Sequence, residues 1–299
     1  MHVAQPIASI VLDPLQSSIG QHALAEVTLL GALSGALGFW VVSYGLSYGA
    51  ESLAHGLLPG LVGAALLGAP LLAGAFAGIA LTAVLIALAA RDQRVGPETA
   101  TAVAVTGMLG LGVLLALSPA TPQGLAELLF GNPLAVSTGD VAAAAVLTVL
   151  GGGALVALHR PLAAVAFDAD GAASLGIRTT AVRVALAALL AVAVCVAVQG
   201  LGNLLALGAI LAPPVAVRRH VRSIGAAMAW GAAVGAAAGI AGIYASYELD
   251  VAAGAAVALA LCAAAAIGAL APVRTRPERQ TRDLATAPAT PHPRRSSRR

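Results

Sequence analysis

Glu51 and His55 stand four residues apart in GAESLAHGLLPG at 49–60, inside a long apolar region. Residues i and i+4 share one face of an α-helix, so this carboxylate and this imidazole can point at the same place. A carboxylate at the centre of a membrane helix costs about 2.5–3.5 kcal/mol on insertion scales, and such a group faces a polar interior in preference to lipid. The two side chains offer oxygen and nitrogen donors that suit a divalent metal such as zinc. Pro59, one turn further on, has no N–H for the carbonyl of His55, which leaves the backbone there free to kink or take another partner. A polar pair beside a broken membrane helix is how many transporters build a mid-membrane site. The same spacing also serves a structural role, in which the pair sits near the membrane edge and is satisfied by hydrogen bonds within the bundle.

The elements that must carry this pair are membrane helices. Of 299 residues, 59% are hydrophobic and 10% charged, against about 25% charged in ordinary soluble domains. Mean hydropathy is +0.92. Uninterrupted apolar runs with no period-2 alternation predict helices and exclude a barrel. They fall at about 27–44, 51–69, 71–90, 99–117, 140–158, 184–199, 201–217, 224–246 and 251–270. The expectation is an all-α polytopic bundle of 8–9 spans over 26–271, an interfacial lead-in over 1–25, and a disordered Arg/Pro-rich tail over 272–299. Small residues at spacing four, Gly31 with Gly35 and Gly231 with Gly235 and Gly239, read as close helix-packing faces, within the chain or at a subunit interface.

Charge orients the bundle. Arg91 and Arg94, then Arg160, Arg178 and Arg183, then Arg218, Arg219 and Arg222, and finally the tail, all fall on one side if the spans alternate. By the positive-inside rule that side, with the C-terminus, is cytoplasmic in a multi-pass plasma (inner) membrane protein. The tail carries eight Arg against Glu278 and Asp283, which suits anionic lipid headgroups or simply solvates the segment; no folded module beside it suggests nucleic acid. The chain has no lysine, so a phosphate-binding loop of the GxxxxGK[ST] type is excluded and any ATP hydrolysis belongs to another chain. Cys195 and Cys262 lie in apolar segments and read as small buried hydrophobes. The N-terminus lacks a basic region followed by a compact apolar core, which argues against a cleaved signal peptide.

Three further stretches invite chemistry. In FDADGAASLGI at 167–177, Asp168 can cap a short helix and Gly176 can end it, leaving Leu175 and Ile177 to dock on something apolar. That describes contact with a soluble partner or a plain interfacial connector. In the 199–214 stretch, Pro213 and Pro214 free the carbonyls of Ala209 and Ile210 while Gln199 and Asn203 add polar groups; this is a gate-like helix or a kinked packing helix. Glu248 and Asp250 make an acidic outer rim that attracts cations or is a solvated turn.

These stretches, in this order, resemble the membrane subunit of bacterial metal-uptake ABC transporters, the zinc/manganese/iron permeases, over about residues 20–270. AESLAHGLLPG is similar to the family's DAxSHAxLPG segment, LLFGNPLAV at 128–136 to LFGxxLAV, and FDADGAASLGI to FDxxxAxxLGI. GNLLALGAILAPPVAV resembles GxLLVxALLxxPAAxA, and SYELDVAAGAAVAL resembles SYxLDxPxGAxIVL. The AHG and APP variants look closer to zinc-type members. Glu51 stands where the family has Asp, and Ala54 where it has Ser. Ser43, Tyr44, Ser47 and Tyr48 replace an arginine pair.

The resemblance implies a permease that catalyses no covalent chemistry, has no permanent cofactor, and moves a divalent ion, Zn²⁺ first and then Mn²⁺ or Fe²⁺. It implies Glu51 and His55 as metal contacts, and Phe167, Asp168, Asp170, Leu175 and Gly176 as the loop meeting a cytoplasmic ATPase. Pro59, Pro213 and Pro214 become helix breaks or gates. The implied partners are two ATPase copies, an extracytoplasmic metal-binding protein, a second copy of this chain, and membrane lipids. The alternative weighed beside this is a self-sufficient proton-coupled carrier, with Glu51 and His55 as its relay.

Overall fold

A computed structural model describes residues 17–89, 96–119 and 136–272. Every regular element among them is a helix: α1 (Ser18–Ser43), α2 (Ser47–Leu67), α3 (Leu71–Ala89), α4 (Pro97–Ala116), α5 (Thr138–Phe167), α6 (Ala169–Ser174), α7 (Thr179–Leu201), α8 (Asn203–Val217), α9 (Ile224–Leu249) and α10 (Ala253–Leu270). Eight of them are long and apolar enough to cross a membrane. The ninth apolar segment is α8, with 15 residues; at 1.5 Å per residue it is about 22 Å long, short of a hydrocarbon core of about 30 Å. Gly202 separates it from α7 with φ +85°, a value that an L side chain rarely adopts.

Ser17 starts α1 by accepting a hydrogen bond from the Gly20 N–H at 3.0 Å. Residues 18–25, expected from hydropathy to belong to the lead-in, are therefore the first turns of α1. Polar His22 and Gln21 masked them in an apolarity scan, and Glu26 behind them is buried, 1% exposed.

α1 is the centre of the bundle. It runs antiparallel to α9 at backbone contact: a Cβ on Gly31 would lie 2.7 Å from the Gly235 carbonyl oxygen, and Gly35 and Gly231 face each other in the same way. Gly239 continues the seam at the Val27 carbonyl. The small-residue stripes thus pack against each other within one chain, where missing side chains let dispersion act between backbones. α5 runs parallel to α1. Thr148 donates to the Leu29 carbonyl at 3.2 Å, Trp40 meets His159 edge-on at 5.8 Å, and the Tyr44 hydroxyl donates to the Leu162 carbonyl at 2.9 Å. α2 and α3 repeat the glycine device, with Gly56 and Gly60 against Gly78 and Gly74.

These pairings gather Arg178, Arg183, Arg218, Arg219 and Arg222 at one end of the bundle. The Arg219 guanidinium donates to the Ala269 carbonyl, and His220 Nε2 lies 2.7 Å from the Gly268 carbonyl, so the α8–α9 turn sits on the C-terminal end of α10. Glu248 and Asp250 are exposed at the opposite end. Arg91, Arg94, residues 128–135 and the tail lie outside the described residues. One cysteine departs from expectation: Cys195 is buried, but Cys262 is exposed because it lies on the outward face of α10.

Candidate functional site

The turn from α1 to α2 fixes where the Glu51/His55 helix begins. Gly45, with φ +67°, follows Tyr44; its N–H bonds the Val42 carbonyl at 3.2 Å, and the Leu46 N–H bonds the Val41 carbonyl at 2.8 Å. This is a Schellman closure, which needs a residue comfortable in the left-handed region. α2 then starts at Ser47 and carries Glu51 and His55 on its first turns. Both lie between the arginine-rich end and the helix midpoint at Leu57, His55 within one turn of that midpoint.

His55 Nε2 stands 3.8 Å from Glu51 Oε1, with side-chain exposures of 14% and 45% respectively. Donors about 2.1 Å from a shared ion lie roughly 3.4 Å apart in a tetrahedron and roughly 3.0 Å apart along an octahedral edge. The pair must therefore close by about 0.4–0.8 Å to hold one ion. The half-exposed Glu51 has the rotamer freedom to do so, while the His55 side chain is mostly covered. Among the described residues no third His, Cys, Asp or Glu completes a cluster. An ion here would keep open positions for water or for donors from another chain. Sparse ligation suits passage, because a transport site must release what it binds.

α2 runs through Pro59 without interruption, because its neighbours lock it on both sides. Gly60 abuts the Gly74 backbone, and Leu58 and Pro59 pack against Gly112 of α4. α8 likewise continues through Pro213 and Pro214. The Ile210 carbonyl, freed by Pro214, points at Gly38 of α1, where any Cβ would collide with it. The interruption falls at Gly202 instead.

The other site residues fall at the two ends. Asp168 Oδ1 caps α6 by accepting from the Asp170 and Gly171 N–H groups at 3.1 and 3.0 Å, and Gly176 (φ +82°) ends the segment. Ile177 packs on the core. Phe167 and Leu175 do not; they are 95% and 81% exposed and flank α6 at the arginine-rich end. Asp250 ends α9 in the left-handed region (φ +51°) beside Glu248, well away from Glu51 and His55. Two residues escaped sequence reasoning. Glu26 and Trp40 are buried, with Glu26 Oε2 and Trp40 Nε1 lacking a hydrogen-bond partner among the described residues. A lone acid in a helix's third turn gives no signal until the helix start is known.

A helical membrane bundle with a sparse polar pair on one span and a capped short helix at its arginine-rich end is the architecture of a permease. The chain matches the ABC 3 transport family over residues 16–271 and belongs to it. It is a multi-pass membrane permease subunit of the ABC class, without an ATPase site of its own. It is 30% identical over 251 residues to the manganese transport system membrane protein MntC of Halalkalibacterium halodurans, covering 82% of this chain and 84% of that one. It is 28% identical to the manganese import system permease protein ScaB of Streptococcus parasanguinis (80% and 85% covered). A probable iron transport system membrane protein of Haemophilus influenzae is 27% identical (83% and 92%). The solved structure of PsaBC from Streptococcus pneumoniae in complex with Fab superposes with a TM-score of 0.82 at 24% identity, covering 88% of this chain and 95% of that chain. An inward-facing putative metal-chelate type ABC transporter gives 0.66 at 14% identity, covering 86% and 87%. Those two likenesses concern the fold.

Proposed function

We propose that this chain is the membrane pathway of an importer for a divalent first-row transition metal, with Glu51 and His55 as the ligands that the passing ion meets. The observation that carries the reading is the donor pair itself: one carboxylate and one imidazole, 3.8 Å apart on one helix face inside a membrane span. The manganese and iron names of the relatives support Mn²⁺ and Fe²⁺ ahead of the Zn²⁺ favoured by the donor types alone. The self-sufficient proton-coupled carrier gains no support from membership of an ABC family.

The arginine-rich end is the cytoplasmic one by the positive-inside rule, which puts the C-terminus inside and the protein in the plasma membrane. α6, with Phe167 and Leu175 exposed beside it, is then the surface for the ATPase. Glu248 and Asp250 face the side from which an extracytoplasmic metal-binding protein delivers the ion. A second copy of this chain supplies further donors or walls to the path.

The test is uptake of ⁵⁴Mn, ⁵⁵Fe and ⁶⁵Zn by cells expressing the wild-type chain with its ATPase, His55→Ala, or Glu51→Gln, at matched levels. Losing one of two ligands should weaken metal affinity by at least the 10–100-fold typical of outer-shell losses. Uptake of one metal should therefore collapse in both variants at low metal, with the ATPase still copurifying. Uptake within twofold of wild type in both variants would remove the pair from the path.

A further inference from the structure

Tyr44 occupies a junction between the metal-ligand helix and the segment that flanks α6. Its ring packs edge-on against Trp40 at 6.3 Å, and Trp40 in turn meets His159 of α5. Its hydroxyl donates to the Leu162 carbonyl at 2.9 Å. Leu162 follows Pro161, which has no N–H for the carbonyl of Ala157, and it lies on the last turns of α5 before Phe167 and the Asp168 cap. On the other side, Tyr44 is followed by the Schellman turn that sets the start of α2, so Glu51 lies two turns of chain away. Arg183 of α7, the helix that leaves α6, completes the arrangement. It lines, with Ser43, Tyr44, Leu46, Val165 and Ala166, a cavity of about 470 Å³ under the turn. Burial pushes the Tyr44 hydroxyl above the usual tyrosine range while the Arg183 cation pulls the other way, so the hydroxyl keeps its proton and remains a donor near neutral pH.

We infer that Tyr44 is a positioning residue that couples the two ends of the transport cycle: its hydroxyl ties the α1–α2 turn, and with it Glu51 and His55, to the part of α5 that α6 would pull when the ATPase closes. This side-chain hydrogen bond joins the residue before that turn to the helix entering α6. The inference rests on the importer reading, and it adds a residue that touches neither metal nor ATPase. Tyr44→Phe removes the donor while keeping the ring against Trp40. Ser43→Ala, whose hydroxyl bonds only the Phe39 carbonyl of its own helix at 2.7 Å, is the neighbouring control.

The experiment uses the permease with its ATPase in lipid vesicles, counting radioactive metal ions moved per ATP hydrolysed. For Tyr44→Phe the expected result is unchanged ATPase copurification, unchanged hydrolysis without metal, and an unchanged metal Kd. Ions moved per ATP should fall by about 2- to 12-fold, the range for losing one neutral hydrogen bond from a two-state element. Ser43→Ala should match wild type. Wild-type stoichiometry in Tyr44→Phe would overturn the inference. So would a proportional loss of thermal stability, metal binding and hydrolysis together, which marks a merely structural bond. If the wild-type complex hydrolyses ATP but moves none of the three metals, the importer reading fails first, and this inference falls with it.

Discussion

The α2–α3 seam makes a prediction in which two nearly identical substitutions have opposite signs. Gly60 and Gly63 lie on the same helix, one turn apart. A Cβ at Gly60 would sit 2.8 Å from the Gly78 nitrogen and 2.9 Å from the Gly74 carbonyl carbon, while a Cβ at Gly63 meets nothing within 4 Å. The obstructing atoms at Gly60 are backbone, the Gly74 carbonyl oxygen nearest of all, and cannot swing aside, so α2 and α3 must part to restore ordinary contact. A gap of 0.5–1 Å forfeits about a quarter to a half of the dispersion along the seam, and overpacking of this kind costs about 1–3 kcal/mol. Gly63→Ala instead removes chain entropy from the unfolded state and should gain about 0.5–1 kcal/mol. At roughly 2–4 °C per kcal/mol for a chain of this size, Gly60→Ala should melt about 2–12 °C below wild type and Gly63→Ala at or slightly above it. Thermal unfolding of the purified protein in one fixed detergent or nanodisc reads this directly. A Gly60→Ala protein as stable as Gly63→Ala would refute the close approach of α2 to α3, and with it the account of why α2 continues through Pro59.

Two further perturbations probe the rest of the frame. Gly235→Val should cost at least about 1–3 kcal/mol, because its Cβ would collide with the Gly31 carbonyl; Gly153→Val on α5, where a Cβ meets nothing within 4 Å, should leave the yield of folded protein intact. Comparing monodisperse yield by size exclusion separates them. Asp168→Ala should remove about 0.5–2 kcal/mol of capping from α6, lowering ATPase copurification while the melting midpoint of the bundle stays within about 2 °C; Asp168→Asn, which retains a capping oxygen, should restore it.

How much of this was legible in the sequence varies with the physics at each residue. Apolar run length alone located the spans, because a bilayer imposes one length on every crossing. It missed residues 18–25, since His22 and Gln21 break the run although the Ser17 cap starts the helix there. The GxxxG spacings identified the packing faces but not their partners, because pairing Gly31 with Gly235 is a tertiary fact. Proline shows the limit of local reasoning. Its missing donor is a local certainty, yet the helix continues where neighbouring helices pack closely around it, and the boundary in the 199–214 stretch falls at Gly202. Tyr44 was invisible as anything except a departure from an arginine, since its role depends on Leu162, which is distant in sequence.

If Glu51 and His55 are the ligands proposed above, the arrangement of α2 accounts for so small a donor set. A site with four protein ligands would hold zinc as structural sites do, with no open position and no release. Here the backbone around the pair is rigid. The Schellman turn fixes the start of α2, Gly56 and Gly60 fix its distance from α3, and Gly112 receives Leu58 and Pro59 from α4. Only the Glu51 side chain retains freedom, and the displacement it must make to share an ion with His55 is under an ångström. A small movement of α2 relative to its surroundings would be enough to open or close that donor edge, and a packed interface moves between discrete arrangements in preference to deforming continuously. An element packed closely against its neighbours, and preceded by a turn that the Tyr44 hydroxyl bonds to Leu162 of α5, is suited to transmit such a step. On the proposed metal path, Glu51 and His55 are therefore placed where a change at the arginine-rich end arrives directly.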